Sequence, residues 1–197
     1  MITCALIIRN EIARIETTLK HVLSLDFAEI LVVDQQSDDG TLELVQEYAR
    51  RYPERVRVES HPLYGCNELS RPWVIENAKG PFILLLDADE EVTTWFASRM
   101  NAIAASGDAD LYCLDRITYI RNDKFVLDEG MHRFLHKDRV VAGIFETAVE
   151  ALHAPLACKR PNRERRIDWP CLLTIKSWEE QSADNERYYG LGYPRPE

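Results

Sequence analysis

The chain has no C-x-x-C pair, no apolar run long enough for a membrane, no glycine-rich phosphate loop and no excess of positive charge. Its five cysteines, Cys4, Cys66, Cys113, Cys158 and Cys171, are odd in number and far apart. That pattern suggests neither a disulfide framework nor a thiolate zinc site, and a reducing cytosol is the simpler setting. The strongest apolar run, Phe82 to Leu86, is far shorter than the ~20 residues of a membrane helix. The N-terminus has no basic segment leading into an apolar signal core, so a cytoplasmic location is expected. Lys and Arg number 24 against 33 Asp and Glu, a net charge of −9. This argues against general nucleic-acid binding, which needs a broad basic face to displace phosphate counterions. Only 8 Gly and 9 Pro in 197 residues, without low-complexity tracts, exclude a collagen-like or disordered chain. With 46% apolar residues, one soluble domain with a sizeable core is expected.

The patterning gives an alternation of strands and helices. Ile2 to Ile8 reads as a strand, and Asn10 stands as N-cap of a helix burying Ile12, Ile15, Leu19, Val22 and Leu23. Ile30 to Val33 is a second strand, followed after a polar turn by a helical stripe of Leu42, Val45, Ala49 and Tyr52, closed by Pro53. Val56 and Val58 suggest a third strand, Glu68 to Ala78 a helix interrupted near Pro72, and Phe82 to Leu86 a fourth strand. A helix capped by Thr93 or Thr94 then buries Phe96, Met100 and Ile103. Strands apolar on both faces call for a parallel sheet covered on both sides. Beyond Gly107 the style changes, with β-like stretches at Leu111 to Ile120, Phe134 to His136 and Ile144 to Val149. A basic loop from Lys159 to Arg166 and a helix near Trp178 to Leu191 complete the reading.

Ligands of such sheets bind beyond the carboxyl ends of the strands. Here these ends carry Arg9, Asn10 and Glu11, then Asp34, then Asp87 and Asp89. In Leu84-Leu85-Leu86-Asp87-Ala88-Asp89-Glu90 a buried strand stops in two carboxylates one residue apart. One can hold a hard divalent cation that also grips a diphosphate, and the other can accept from a ribose hydroxyl or a metal-bound water. A solvated turn is the bland alternative. Asp34 can accept the imide N–H of uracil, or it merely ends its strand. Arg9-Asn10-Glu11 stands where nucleotidyl transferases carry a glycine-rich loop and dehydrogenases carry G-x-G-x-x-G, which speaks against both. The basic run Lys159, Arg160, Arg163, Arg165 and Arg166 is either a solvated mobile loop or a surface for an anionic acceptor or acidic membrane.

Cys4 to Glu11 (CALIIRNE), Ile30 to Thr41 (ILVVDQQSDDGT), Arg71 to Asp89 and Ile175 to Tyr188 (IKSWEEQSADNERY) resemble family 2 glycosyltransferases of the GT-A fold. Within that family they are similar to bacterial members that act on lipopolysaccharide core. The resemblance implies a single α/β domain over residues 1–197, with a mostly parallel, Rossmann-like sheet flanked by helices. Residues 1–106 would bind the nucleotide sugar, and residues 107–197 would hold the acceptor and the catalytic base. It implies that Asp34 meets the nucleotide base with Arg9 and Glu11 at the same end, and that Asp87 contacts ribose or a metal-bound water. Asp89 would ligate Mn²⁺ or Mg²⁺, and Arg71 would reach the nucleotide or diphosphate through its donor fork. Relatives often follow this arginine with asparagine, where this chain has Pro72.

The base implied for the acceptor hydroxyl is Glu146, in Ile144-Phe145-Glu146-Thr147 where many relatives read His-Glu; Glu150 and Asp128 are the alternatives. A histidine found in relatives shortly before Lys-Ser is replaced here by Thr174-Ile175-Lys176, and Lys176 either neutralises diphosphate charge or is solvated. The expected partners are a nucleotide-sugar donor, UDP-sugar first, and a glycan or glycolipid acceptor. Peripheral contact with the inner face of the cytoplasmic membrane is expected too, with no nucleic acid and no protein partner. A catalytically degenerate nucleotide-sugar or glycan-binding module is the alternative reading.

Overall fold

The computed structural model describes residues 1–62, 66–120, 124–143 and 156–176. Its first half alternates β1 (Ile2–Ile8), α1 (Ile15–Leu23), β2 (Glu29–Asp34), α2 (Thr41–Arg51) and β3 (Val56–Ser60). A 3-10 turn (Asn67–Ser70), α3 (Arg71–Asn77), β4 (Phe82–Leu86), β5 (Glu90–Val92), α4 (Thr94–Ala97) and α5 (Met100–Ser106) follow. The second half contributes β6 (Leu111–Ile120), β7 (Lys124–His136), β8 (Val140–Ala142), β9 (Leu156–Cys158) and β10 (Glu164–Lys176). Eight strands form one sheet in the order β3-β2-β1-β4-β7-β6-β10-β5, and β8 and β9 pair separately. The run β3-β2-β1-β4 is parallel, as expected. β7 enters antiparallel to β4 and β6, β10 runs parallel to β6, and β5 closes the far edge antiparallel to β10.

The parallel strands are apolar on both faces because helices cover both. Ile15, Leu19 and Val22 of α1 and Val45 and Tyr48 of α2 pack with Cys4, Leu6, Ile30, Val32 and Leu84 on one side. Val74 and Ala78, from α3 and its end, pack with Ala5, Ile7, Leu31, Val33, Ile83 and Leu85 on the other. Each fully buried aliphatic side chain contributes about 2 kcal/mol of burial free energy, so these two layers hold the strand ends in place. At the opposite edge the buried Glu29 carboxylate gathers Thr3 Oγ1 (2.9 Å), Lys79 N (2.8 Å) and Arg57 Nε (3.0 Å). Gly80 N donates to Thr3 Oγ1 at 2.9 Å, and a Cβ at Gly80 would meet Thr3 N at 3.0 Å. The Ala78-Lys79-Gly80-Pro81 segment thus needs glycine for close approach to β1.

Several local expectations change. Asn10 is not a helix cap; it sits at φ 55° and exchanges side-chain bonds with Asp38, its Nδ2 donating to Asp38 Oδ1 (2.8 Å) and its Oδ1 accepting from Asp38 N (2.9 Å). Pro72 falls in the first turn of α3, where its missing N–H costs nothing, so it starts a helix instead of interrupting one. Thr93 is the cap of α4, accepting from Phe96 N at 3.3 Å, but the helix after it is split into α4 and α5. The stretch Ile144 to Val149 and the helix near Trp178 to Leu191 lie outside the described residues. Among the described residues no helix is long and apolar enough to cross a membrane.

The basic run leaves Lys159, Arg160, Arg165 and Arg166 exposed, as a solvated loop would, while Arg160, Arg163 and Arg166 also pair with buried carboxylates. Asp110 is fully buried and accepts from Arg160 Nη2 (2.8 Å), Arg139 Nη1 (3.2 Å) and Arg163 Nε (3.4 Å). Arg166 reaches the buried Asp115 at 3.0 Å. Burial pushes the Asp110 carboxyl up, but the bonds from Arg160, Arg163 and Arg139 override it and hold it at about 2. Since the unfolded carboxyl titrates near ~3.9, this contribution to stability is complete above about pH 4 and lost as the pH falls towards 2. Asp110→Asn is expected to lower stability at pH 7 by about 2 kcal/mol. It should also flatten the loss between pH 4 and 2 relative to the parent, as read by urea unfolding across that range.

Candidate active site

The strand register brings the predicted ends together. Ile8 pairs with Asp34 and Leu6 with Leu86, so Arg9, Asp34 and Asp87 emerge side by side at the carboxyl edge of the parallel strands. Asp34 is fully buried; its Oδ2 accepts from Ser37 N at 3.0 Å, while Oδ1 has no partner among the described residues. The buried Nε of Arg9 is likewise unpartnered there. An unmet buried polar group costs about 1–3 kcal/mol, so this acceptor and this donor are each candidates to meet a polar ligand at the strand ends. Glu11 stands at the same end and is held by its backbone. Its carbonyl receives Arg14 N and Ile15 N at 2.9 Å, its amide donates to Thr41 Oγ1 at 2.8 Å, and its carboxylate lies 3.8 Å from Arg14. It shapes the entry to α1.

Gln35, the residue after β2, anchors the next piece. Its Nε2 donates to Cys66 O and to Ser70 Oγ, both at 3.1 Å, and His61 Nδ1 lies 3.3 Å from the same hydroxyl. These bonds fix the 3-10 turn over the sheet edge and so place Asn67, Glu68 and Arg71. Arg71 Nη2 donates to Glu68 at 3.1 Å, and burial pushes its guanidinium down from the ordinary range. A pocket floored by Ala5, Ile7 and Leu85 has Asn67, Arg71, Asp87 and Arg133 at its polar rim. The predicted Arg71 and Asp87 therefore share one pocket.

Arg133 is the residue that sequence reasoning missed. Tyr112 pairs with Phe134 and Cys113 with His132, leaving Arg133 as the extra residue of a β-bulge, a device that redirects a side chain. A second register shift follows where Leu114 pairs with Met131 and Arg116 with Asp128. There Gly130 takes φ 68° and donates its N–H to Asp115 Oδ1 at 2.9 Å. From its bulge Arg133 grips both oxygens of Asp87, Nη1 to Oδ1 at 3.1 Å and Nη2 to Oδ2 at 2.6 Å. Desolvation raises the Asp87 carboxyl, but the Arg133 guanidinium overrides it and holds Asp87 well below the usual carboxylate range.

Glu90, next along the turn, is fully buried. It takes Asp87 N at 2.9 Å, Arg116 Nη1 at 2.6 Å and Arg133 Nη2 at 3.4 Å, and its own amide closes the turn on Asp87 O at 3.1 Å. Burial raises the Glu90 carboxyl. Asp89 stands at the corner of this turn, 2.9 Å from Lys176 Nζ of β10. Lys176 is thus neither solvated nor remote from the site. Glu146, Glu150 and the tail from Ser177 to Tyr188 lie outside the described residues, and of Asp128 the backbone alone, in β7, is described.

Asp89 suits a hard divalent ion, since Mg²⁺ and Mn²⁺ take one or two carboxylates and complete their shell with phosphate oxygens and water. Both oxygens of Asp87 accept from Arg133, and each keeps a lone pair for a ribose hydroxyl or a metal-bound water. Cys113, His132 and Glu164 also gather, with Cys113 Sγ 3.2 Å and His132 Nε2 3.3 Å from Glu164 Oε1. There, however, His132 Nδ1 accepts Leu156 N–H at 3.1 Å. That bond leaves the proton of the neutral ring on Nε2, the nitrogen a metal would need.

Comparison with known proteins bears on this geometry. The family model described as glycosyl transferase family 2 matches residues 3–154. A sequence search of curated proteins finds no match. Among solved structures, S. aureus TarS 1-349 in complex with UDP-GlcNAc is similar with a TM-score of 0.64 and 18% identity, over 89% of this chain and 58% of TarS 1-349. The mannosyltransferase PcManGT from Pyrobaculum calidifontis, in complex with GDP-Man and Mn²⁺, gives 0.59 and 17% over 95% of this chain and 60% of its own. GalNAc-T7 with UDP, GalNAc and Mn²⁺ gives 0.50 and 22% over 60% and 24%. At such identities the likeness shows the fold, the mixed α/β GT-A arrangement expected from the sequence. The chain spans about three fifths of the TarS 1-349 and PcManGT lengths.

Arg133→Met leaves Asp87 without its fork and Glu90 with Arg116 alone. We expect a loss of about 3 kcal/mol, greater than that of Asp87→Asn, which leaves the Arg133–Glu90 contact in place; denaturant midpoints of the two variants decide the order. As a depressed carboxyl, Asp87 contributes stability that is complete above its unfolded value near ~3.9 and lost below it. The gap between parent and Arg133→Met should therefore narrow as the pH falls below 4.

Proposed function

Because the chain belongs to glycosyl transferase family 2, we propose that it moves a sugar from a metal-bound nucleotide sugar, a UDP-hexose first, to a hydroxyl of a glycan or glycolipid acceptor such as lipopolysaccharide core. The observation that carries the donor assignment is the unpartnered pair at the strand ends. Asp34 Oδ1 is a buried acceptor and Arg9 Nε a buried donor, and the imide edge of uracil offers one N–H flanked by carbonyls. Asp87 and Arg71 at the adjacent pocket are suited to ribose and diphosphate. The neighbours TarS, GalNAc-T7 and PcManGT, crystallised with UDP-GlcNAc, UDP and GDP-Man, agree in ligand class.

In the proposed reaction Glu146 takes the proton of the acceptor hydroxyl as its oxygen bonds to the anomeric carbon. The bond from that carbon to the diphosphate breaks on the opposite side, with inversion, and its electron pair leaves with the diphosphate. Asp89 would hold Mn²⁺ or Mg²⁺, which when bound supplies Lewis-acid stabilisation to the departing diphosphate. Arg71 steers the same oxygens by a planar fork. Peripheral contact with the inner face of the cytoplasmic membrane belongs to this reading through the lipid-linked acceptors of the subgroup. In the run Lys159 to Arg166 the side chains of Arg160 and Arg163 pair with Asp110, while Lys159, Arg160, Arg165 and Arg166 stay exposed.

Calorimetric titration of UDP, GDP and ATP, each with Mn²⁺ and again with EDTA, tests the proposal. UDP should bind in a metal-dependent way, Asp89→Ala should abolish that dependence, and Asp34→Asn should weaken UDP by about tenfold, the worth of one charge-assisted bond. Glu146→Gln should keep donor binding and lose a factor of about 10² to 10⁴ in transfer. Failure of all three nucleotides refutes the donor site, and donor binding without transfer or donor hydrolysis would establish a binding module.

A further inference from the structure

The two carboxylates of Asp87-Ala88-Asp89 are each held by a cation from the second half, and the two cations differ in kind. Asp87 gives both oxygens to the Arg133 guanidinium, whereas Asp89 Oδ2 lies 2.9 Å from the Lys176 ammonium, with both side chains only 13% exposed. A guanidinium in a two-point fork is held by geometry; an ammonium on a flexible stem is a point charge that can be exchanged. Ion pairs join Arg71 to Glu68, Arg116 and Arg133 to Glu90, Arg133 to Asp87 and Lys176 to Asp89. Among the described residues these ion pairs set four cations against four carboxylates.

A dication alone would have to displace Lys176 and leave surplus positive charge in a poorly solvated place. A dianionic diphosphate alone would leave the opposite surplus. Together they add nothing, and the displaced ammonium has a diphosphate oxygen to move to.

Resting on the nucleotide-sugar reading above, we propose that Lys176 is the exchangeable counter-ion of Asp89: it occupies the cation's carboxylate in the free protein and transfers to the donor diphosphate when metal and nucleotide load together. Lys176 is in this sense a positioning residue for loading, and its pairing makes metal binding conditional on the nucleotide.

The test is Mn²⁺ binding to the full chain, followed by electron paramagnetic resonance of the free ion, without nucleotide and then with UDP. Lys176→Met should bind Mn²⁺ without nucleotide about tenfold more tightly than the parent, and Lys176→Arg should stay near the parent. The double change Lys176→Met with Asp89→Asn should erase the gain, placing it at Asp89. UDP should then tighten Mn²⁺ by a larger factor in the parent than in Lys176→Met. Equal nucleotide-free affinity in the parent and Lys176→Met, or equal tightening by Lys176→Arg, would overturn the proposal. The metal-only arm uses no nucleotide, so it judges the exchange at Asp89 even where failure of UDP to bind refutes the donor reading.

Discussion

The Arg133–Asp87 fork is the contact on which the site depends. It joins the last residue position of the parallel half to a bulge in the antiparallel half, across 46 residues of chain. The bulge matters as much as the charge. Without its extra residue, Arg133 would follow the in-and-out alternation set by Phe134 and Leu135, which are buried in opposite layers. The same guanidinium touches Glu90, whose carboxylate receives the Asp87 amide, so fork, turn and strand end lock one another. Asp89 is displayed at the corner because its two neighbours in the turn are immobilised.

What was legible in the sequence follows from how far each signal reaches. The parallel strands are short apolar runs ended by charge, and β1 (Ile2–Ile8) and β4 (Phe82–Leu86) coincide with their expected bounds. The convergence of Arg9, Asp34 and Asp87 followed from the rule for carboxyl edges, and the register shows them adjacent. Arg133 and Glu90 were not legible because their meaning is pairwise. An arginine between His132 and Phe134 has no periodic signature, and Glu90 after two aspartates reads as one more solvated acid until Arg116 and Arg133 are brought to it. The bulge has a faint trace in Gly130, whose positive φ supports the neighbouring register shift.

The basic run shows the same limit from the other side. Composition around Lys159 to Arg166 suggested an exposed surface, and four of its five basic residues are exposed; what composition does not reveal is Asp110, the buried carboxylate some fifty residues earlier that gathers Arg160 and Arg163. Arg160 and Arg163 lie against a buried carboxylate, so the segment leads into β10 in a fixed register, with Glu164 opposite Leu111. That register in turn carries Thr174 to Glu90 and sets Lys176 beside Asp89. A cluster at one edge of the sheet thereby determines which cation meets the corner of the Asp87–Glu90 turn at the other.

The two halves divide the charge between them. The first half supplies all four carboxylates of the network, Glu68, Asp87, Asp89 and Glu90, and one cation, Arg71; the second supplies Arg116, Arg133 and Lys176. Neither half has a balanced site alone, because a buried carboxylate without its partner is strongly destabilising. β5 (Glu90–Val92), from the first half, pairs with β10 at the far edge of the sheet, and β7 pairs with β4 near its middle. The chain is therefore not divided near residue 106 in its folding, since strands from both sides share one sheet. The pocket takes Arg71 and Asp87 from the first half and Arg133 from the second, so its shape depends on the register of β7 against β4.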